Sequence, residues 1–392
     1  MRCRGPIAVC AATVLLLCGC GGKSSPDPLA TTAGKQAPTA GNADQPKGTP
    51  AFGVNLGPMA LLAPHTAEQV AADTERAGGT ILRLSVAWFD AEPFPPAAGV
   101  PAKFTFAQFA PIKAAMARHG IRPLILVLGT PNWALPQPWT CPGPGNCDGA
   151  PAPAHMNDLS AFIGAALKAF PDAVGVEMYN EPNNAQNWGP VPVNVKAYAK
   201  VLAVAHAAIR AQHSNVPLIT AGLVNYPQGH QGDLDAPQFL EELYKDGAKG
   251  SFEAIGLHPY ASTSDPSGGK SLWLSRIRAA RQVARRNGDA GRAIWITESG
   301  YPTGGPPAWT TVVSEDKQSV LERCEYQLLF GDPDIRVVLH NYLYDYKAPG
   351  DNTSLEDHWG LFRQDGSQKP IVAAMAQMLT RPSRVTDCAA VR

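Results

Sequence analysis

The chain lacks a surplus of either charge, a bilayer-length apolar run, a glycine-rich phosphate loop and a histidine pair. Its 33 basic side chains are balanced by 33 acidic ones. The net charge therefore points to neither nucleic acid nor an anionic membrane as a partner. The apolar stretch from Ile7 to Leu17 is too short to span a bilayer comfortably as a permanent helix. The turn after the first strand candidate reads Asn55-Leu-Gly-Pro58. A doubly wound nucleotide-binding sheet would place a glycine-rich loop there. No His-x-His closes a strand candidate and no compact His/Asp cluster occurs, so a metal-dependent hydrolase has no support. No cofactor and no metal ion is expected. What the chain does have is length and apolar content: 392 residues, 45% hydrophobic, enough for a large core.

The N-terminus reads as a targeting segment. Arg2 and Arg4 precede the apolar stretch, which ends in Leu17-Cys18-Gly19-Cys20. This resembles the bacterial lipobox, which implies a signal peptide over residues 1–19 and lipidation of Cys20. The expected location is the cell surface, membrane-anchored through that lipid alone; an ordinary secretory signal would make the protein secreted. Residues 20–50 are rich in Gly, Ser, Thr, Ala, Pro and Lys and read as a disordered tether. Beyond the signal and the lipidated cysteine, Cys141, Cys147, Cys324 and Cys388 remain. An even number in an oxidising compartment suggests two disulfides. Cys141 with Cys147 and Cys324 with Cys388 is the favoured pairing of the three possible.

From residue 51 to 392 no comparable linker interrupts the chain, so one domain is the simplest count, and a monomer is expected. Strand candidates are Phe52–Leu56, Thr80–Trp88, Ile121–Gly129, Val174–Tyr179, Pro217–Val224, Ala254–His258, Ala293–Thr297 and Ile335–Leu343. Helical patterns alternate with them: Thr66–Ala77, Phe106–His119, Met156–Phe170, Val195–Gln212, Pro237–Asp246, Leu272–Asn287, Ser314–Phe330 and Ile371–Leu379. Near-continuous apolar strands alternating with helices imply a parallel sheet covered on its outer face. Repeated eight times, the pattern implies an α/β fold of the (β/α)8 TIM-barrel type.

Two glutamates close strand candidates. One ends Ala173-Val-Gly-Val-Glu-Met-Tyr-Asn180-Glu181-Pro182; the other ends Ala293-Ile-Trp-Ile-Thr-Glu298-Ser-Gly300. Catalytic groups of such barrels gather at the C-terminal strand ends. A carboxylate there costs desolvation free energy. Two of them, on the fourth and seventh strands, suggest a paired acid and base, as glycoside hydrolysis requires. Arg83, inside an apolar strand, should point into the barrel mouth and needs a partner, for which Glu298 is the obvious choice. Sugars also need aromatic platforms, and Trp133, Trp188, Tyr342 and Tyr344 all follow strand ends.

Asn180-Glu181-Pro182 and Glu298 resemble glycoside hydrolase clan A, the retaining (β/α)8-barrel glycosidases. Tyr179-Asn-Glu-Pro-Asn183, Thr130-Pro-Asn-Trp133 and Trp88-Phe-Asp-Ala-Glu-Pro93 resemble family 39 and related bacterial exopolysaccharide hydrolases most, and family 5 second. The resemblance implies cleavage of a β-linked glycan by double displacement, with Glu181 as general acid/base and Glu298 as nucleophile. It implies that Asn180 donates to the sugar 2-hydroxyl. It also implies that His258 and Tyr260, from His258-Pro-Tyr260, lie near the pair. Many clan members carry a Trp at the end of strand 8; here Leu339-His-Asn-Tyr342-Leu-Tyr344 stands instead, making the tyrosines substitutes. The segment Trp359–Gly366 resembles the hairpin before the clan's last helix. The alternatives are a transglycosylase that remodels cell-wall or capsular glycan and a non-catalytic glycan-binding lipoprotein; both carboxylates being intact disfavours the second.

Overall fold

The computed structural model describes residues 49–57, 64–141, 148–189, 193–224, 232–260, 272–308, 310–351 and 353–380. The expected signal peptide and Cys20, the tether up to residue 48, and Cys147 and Cys388 lie outside these. Cys141 and Cys324 are each disulfide-bonded. Among the described residues no helix is long and apolar enough to cross a membrane.

Two-residue alternation along the strands builds the molecule. In β2 (Ile81–Ala87) the side chains of Leu82, Leu84 and Val86 join the large apolar cluster under the helices, whereas Ile81 joins a separate cluster inside the sheet. The same division runs through β1 (Ala51–Asn55) and β3 (Arg122–Leu128), and in β4 (Gly175–Met178) Val176 and Met178 join the cluster under the helices. It continues through β7 (Ala254–His258), β8 (Ala293–Ile296) and β9 (Ile335–Asn341). All strand pairs are parallel, and β1 bonds to both β2 and β9, which brings the two ends of the chain's strand series together. The expected fifth strand is split into β5 (Leu218–Ile219) and β6 (Leu223–Val224), and both halves pair with β7. Counting the halves as one stave, the sheet is a closed parallel barrel of eight, wrapped by helices.

The helices follow the expected segments to within a few residues. α1 (Ala67–Arg76) starts on a capping box in which Thr66 accepts from the Gln69 N–H and the Gln69 side chain reciprocates. Two short or medium helices follow, α2 (Trp88–Ala91) and α3 (Ala110–Arg118). α4 (Met156–Ala169) buries Leu159, Phe162, Ile163, Ala166 and Leu167, one stripe at helical spacing. The rest are α5 (Ala185–Trp188), α6 (Val195–Ala211), α7 (Ala236–Lys245), α8 (Leu272–Arg286), α9 (Glu315–Gly331) and α10 (Pro370–Thr380). Pro370 opens the last one, where its missing N–H costs nothing.

The barrel floor is apolar: Ile81, Leu124, Val174, Ile219, Ala254, Trp295, Val337 and Leu339. Above it the inward positions turn polar, at Asn55, Arg83, Glu177, His258 and Asn341, all buried. The interruption of the fifth stave serves this layer. A Cβ at Gly222 would collide with the His258 imidazole. Gly222 N–H instead donates to Glu177 Oε1 at 2.9 Å, and Ala221 N–H to the Tyr198 hydroxyl at 2.7 Å.

Gly256 sits against the same interruption. A Cβ there would lie 2.6 Å from the Thr220 carbonyl oxygen and 2.8 Å from that of Ala221. Backbone cannot yield as a side chain can, so we expect Gly256→Ala to destabilise by about 1–3 kcal/mol. A lower denaturant midpoint at unchanged m-value checks this.

Candidate active site

Arg83 organises the mouth of the barrel. Its Nε and Nη2 donate to Glu177 Oε2 and Oε1 at 2.7 and 3.2 Å. Its Nη1 donates to Glu298 Oε1 at 2.6 Å and its Nη2 to Asn180 Oδ1 at 3.0 Å. Burial works against the charge, but Glu177 and Glu298 outweigh it and raise the pKa, so the guanidinium stays charged. Glu298 is the expected partner; Glu177 is a second one that the sequence reading did not single out. Alternation along Gly175-Val-Glu-Met would have found it, since Val176 and Met178 face the helices and Glu177 therefore faces in.

Glu298 accepts four hydrogen-bond or ionic contacts of distinct origin. Oε1 takes Arg83 and also Asn55 Nδ2 at 3.1 Å, and Oε2 takes the Tyr260 hydroxyl at 2.7 Å with His258 Nδ1 3.6 Å away. Burial alone would raise the Glu298 pKa. The charges of His258 and Arg83, with donation from Tyr260 and Arg83, win, and the carboxyl is held below the ordinary glutamate range. Burial and the charge of Glu298 push the Tyr260 hydroxyl well up, so it remains a donor. Trp359, buried, packs its ring against Tyr260 at 4.9 Å and keeps that hydroxyl aimed. Asn55 is itself fixed by donation to Asn341 Oδ1 at 2.6 Å.

Glu181 lies beyond the end of β4, on a turn where Tyr179 and Glu181 have φ of 68° and 50°. Its Oε1 meets His258 Nδ1 at 2.9 Å, and its Oε2 accepts from Asn187 Nδ2 at 3.0 Å. The other imidazole nitrogen, Nε2, meets Thr297 Oγ1 at 3.0 Å, and that hydroxyl donates to Glu177 Oε1 at 2.8 Å. With its single proton committed to Glu177, Thr297 accepts from His258 Nε2–H. A proton must then lie between His258 Nδ1 and Glu181 Oε1, on one side or the other. Glu181, His258 and Glu298 each place an atom within 4.8 Å of the others. Those three could hold a metal ion, but Arg83 already supplies a buried cation at Glu298.

Of the expected aromatics, Tyr342 is half-buried beside Glu298, whose charge, after burial, pushes its hydroxyl up. Trp133 is half-buried, edge-on to Trp88 at 5.6 Å, and its Nε1 donates to the Glu92 carbonyl at 3.2 Å. Two expectations are corrected. Trp188 is buried between Tyr179 and Tyr198, with ring centroids 6.4 and 6.5 Å away, and offers no face to a sugar. Tyr344 stacks on His65 at 3.7 Å and donates to Asp73 Oδ2 on α1 at 2.6 Å. It belongs to the outer layer, because β9 ends at Asn341 and the alternation that would align Tyr344 with Tyr342 stops there. Besides Glu177, two carboxyls were not foreseen. Asp148 is buried beneath the site and pushed up to about 7, chiefly by burial. Glu356, on the 3₁₀ turn Leu355–Asp357, is pushed up to about 7 by the packing around its carboxyl and then by Glu181 and Glu298, although the residue exposes surface.

A closed parallel barrel with a carboxyl pair at the C-terminal ends of its fourth and seventh staves is the architecture of the retaining barrel glycosidases. The profile of the cellulase family, glycosyl hydrolase family 5, matches residues 42–324. The chain belongs to glycosyl hydrolase family 5. No curated protein matches it in sequence. Among solved structures it is similar to a family 39 glycoside hydrolase from Bacteroides cellulosilyticus WH2, with TM-score 0.62 and 20% identity over 84% of this chain, which spans 64% of that one. A family 5, subfamily 18 enzyme from Bifidobacterium longum subsp. infantis gives TM-score 0.62 and 16% identity, covering 86% of this chain and 80% of that one. An endo-β-1,4-glucanase from Xanthomonas axonopodis pv. citri gives 0.54 and 17%, covering 85% and 99%. At these identities the likeness is one of fold.

Removing Arg83 strands two buried carboxylates. We expect Arg83→Met to cost about 3–5 kcal/mol of stability. Adding Glu177→Gln to it should recover much of that loss without restoring activity. Paired denaturation and turnover measurements check both halves.

Proposed function

We propose that the chain is an exported glycosidase cleaving a β-linked glycan by double displacement, with Glu298 as nucleophile and Glu181 as general acid/base. One observation carries the reading: two carboxyl groups with oxygens within 4.8 Å, one held ionised by Arg83 and one sharing a proton with His258. Retaining enzymes bring the pair to about 5–5.5 Å, whereas inverting ones leave about 6.5–9.5 Å for a water.

In the first step Glu298 attacks the anomeric carbon while Glu181 gives its proton to the departing glycosidic oxygen. The carboxylate supplies the electron pair of the new ester bond and loses its negative charge, so the hydrogen bonds from Arg83 and Tyr260 weaken as the ester forms. In the second step Glu181 takes a proton from water, which displaces Glu298 and regenerates the starting state. Arg83 can only donate, so it fixes the oxygen end of the Asn180 amide and leaves the NH₂ end for the sugar 2-hydroxyl. Tyr342 and Trp133 are the aromatic surfaces we assign to the sugar. The β-linkage and polymeric substrate are taken from the similar enzymes. Export and the lipid on Cys20 rest on the N-terminal sequence; the disulfide-bonded Cys141 and Cys324 agree with an oxidising compartment.

Intact-mass analysis after exposure to a panel of 2-deoxy-2-fluoro glycosyl fluorides tests the assignment. We expect one sugar to add to the peptide that carries Glu298 and to none in Glu298→Gln. An adduct elsewhere rejects the nucleophile. The depressed Glu298 pKa also sets a sign: the nucleophile stays ionised as pH falls through the ordinary glutamate value of 4.5. We therefore expect the acidic limb of kcat/KM to lie below that value, and a limb above it would contradict the arrangement.

A further inference from the structure

We infer that Asp148 is a positioning residue for Glu181, clamping from two sides the turn that carries the general acid. The inference rests on the role proposed for Glu181. Non-glycine residues with positive φ cost on the order of 1–3 kcal/mol each and persist only where their surroundings over-determine them. Tyr179 and Glu181 are two such residues within three positions, so something must hold the turn between them.

Asp148 does so through both carboxylate oxygens and its own backbone. Oδ2 accepts the Asn180 N–H at 2.7 Å, at the residue between the two strained positions. Oδ1 accepts the Gly129 N–H at 2.7 Å, just past the end of β3. One buried carboxylate thus ties the ends of β3 and β4 together. On the other side, Asp148 N–H donates to the Asn187 carbonyl at 2.8 Å, and Asn187 Nδ2 donates to Glu181 Oε2 at 3.0 Å. The next residue adds a tie: Thr130 Oγ1 donates to the Gly149 carbonyl at 2.7 Å and also meets the Tyr179 hydroxyl at 3.1 Å. Asp148 makes its three bonds from within the insertion between β3 and α4, which also carries the disulfide-bonded Cys141. It contacts the backbone under the acid and reaches neither Glu298 nor Arg83 by a hydrogen bond.

A residue that aims chiefly the acid has a signature that general damage lacks. Loss of aim matters where the leaving group needs a proton and matters little where it does not. The test uses 2,4-dinitrophenyl and phenyl glycosides of the sugar that labels Glu298. With Asp148→Ala we expect kcat/KM on the phenyl glycoside to fall about 100-fold, against about fivefold or less on the dinitrophenyl one, a misplacement effect. Asp148→Asn should fall between, because its amide oxygen replaces one acceptor while its NH₂ opposes the other N–H. Equal losses on the two substrates, or no loss, overturn the inference. Amide hydrogen exchange of the peptide covering Asn180 gives a readout independent of any sugar. In Asp148→Ala we expect it to quicken at least tenfold while α4 and α6 keep their protection; unchanged exchange there overturns the clamp. Should no fluoroglycoside label Glu298 and neither glycoside be cleaved by the unaltered enzyme, the glycosidase assignment falls, and the exchange result still decides the clamp.

Discussion

One buried cation at the barrel mouth, Arg83, sets the conditions under which the rest of the site exists. Its fork satisfies Glu177 and reaches Glu298 and Asn180 in the same plane. An uncompensated carboxylate at that depth would take a proton rather than stay charged. Arg83 lies between two carboxyl groups and helps hold Glu298 ionised above a barrel floor of hydrocarbon. The low polarity below strengthens the attraction, and the close geometry repays the desolvation that a looser pair would not.

From that centre the two glutamates diverge. Glu298 is surrounded by fixed donors: a guanidinium, an amide and a phenol. Glu181 is tied to the cation only indirectly, through the relay His258, Thr297 and Glu177. Because Glu177 is an obligate acceptor, each hydroxyl and N–H along the relay has its direction set, and the relay ends with a proton shared by His258 and Glu181. Two identical side chains thus acquire opposite tasks from their partners rather than from their distance to solvent.

Interruptions of regular structure make this possible. β4 stops at Met178 and the chain turns through left-handed backbone, which lifts Glu181 above the layer that holds Glu177. The fifth stave breaks at Thr220–Gly222, giving the His258 ring its space and pointing a backbone N–H at Glu177. The end of β9 at Asn341 sends Tyr342 to the site and Tyr344 to the outer layer.

Much of this was legible in the amino-acid sequence, since local patterns encode what depends on local periodicity. The alternation of apolar runs and helical stripes determined eight staves and their helices. Carboxylates at the ends of the fourth and seventh determined the candidate pair, and a charge inside an apolar strand marked Arg83. The tertiary structure alone decided which groups meet. Glu177 as the first partner of Arg83, Asn55 at Glu298 and Asp148 under Asn180 join residues 94, 243 and 32 positions apart. Trp188 and Tyr344 followed strand ends as Trp133 and Tyr342 did, yet closure of the barrel buried them against helices. Contact across a closed ring depends on where each strand stops and how the ring is sheared, and that is a property of the packed whole rather than of any stretch of chain.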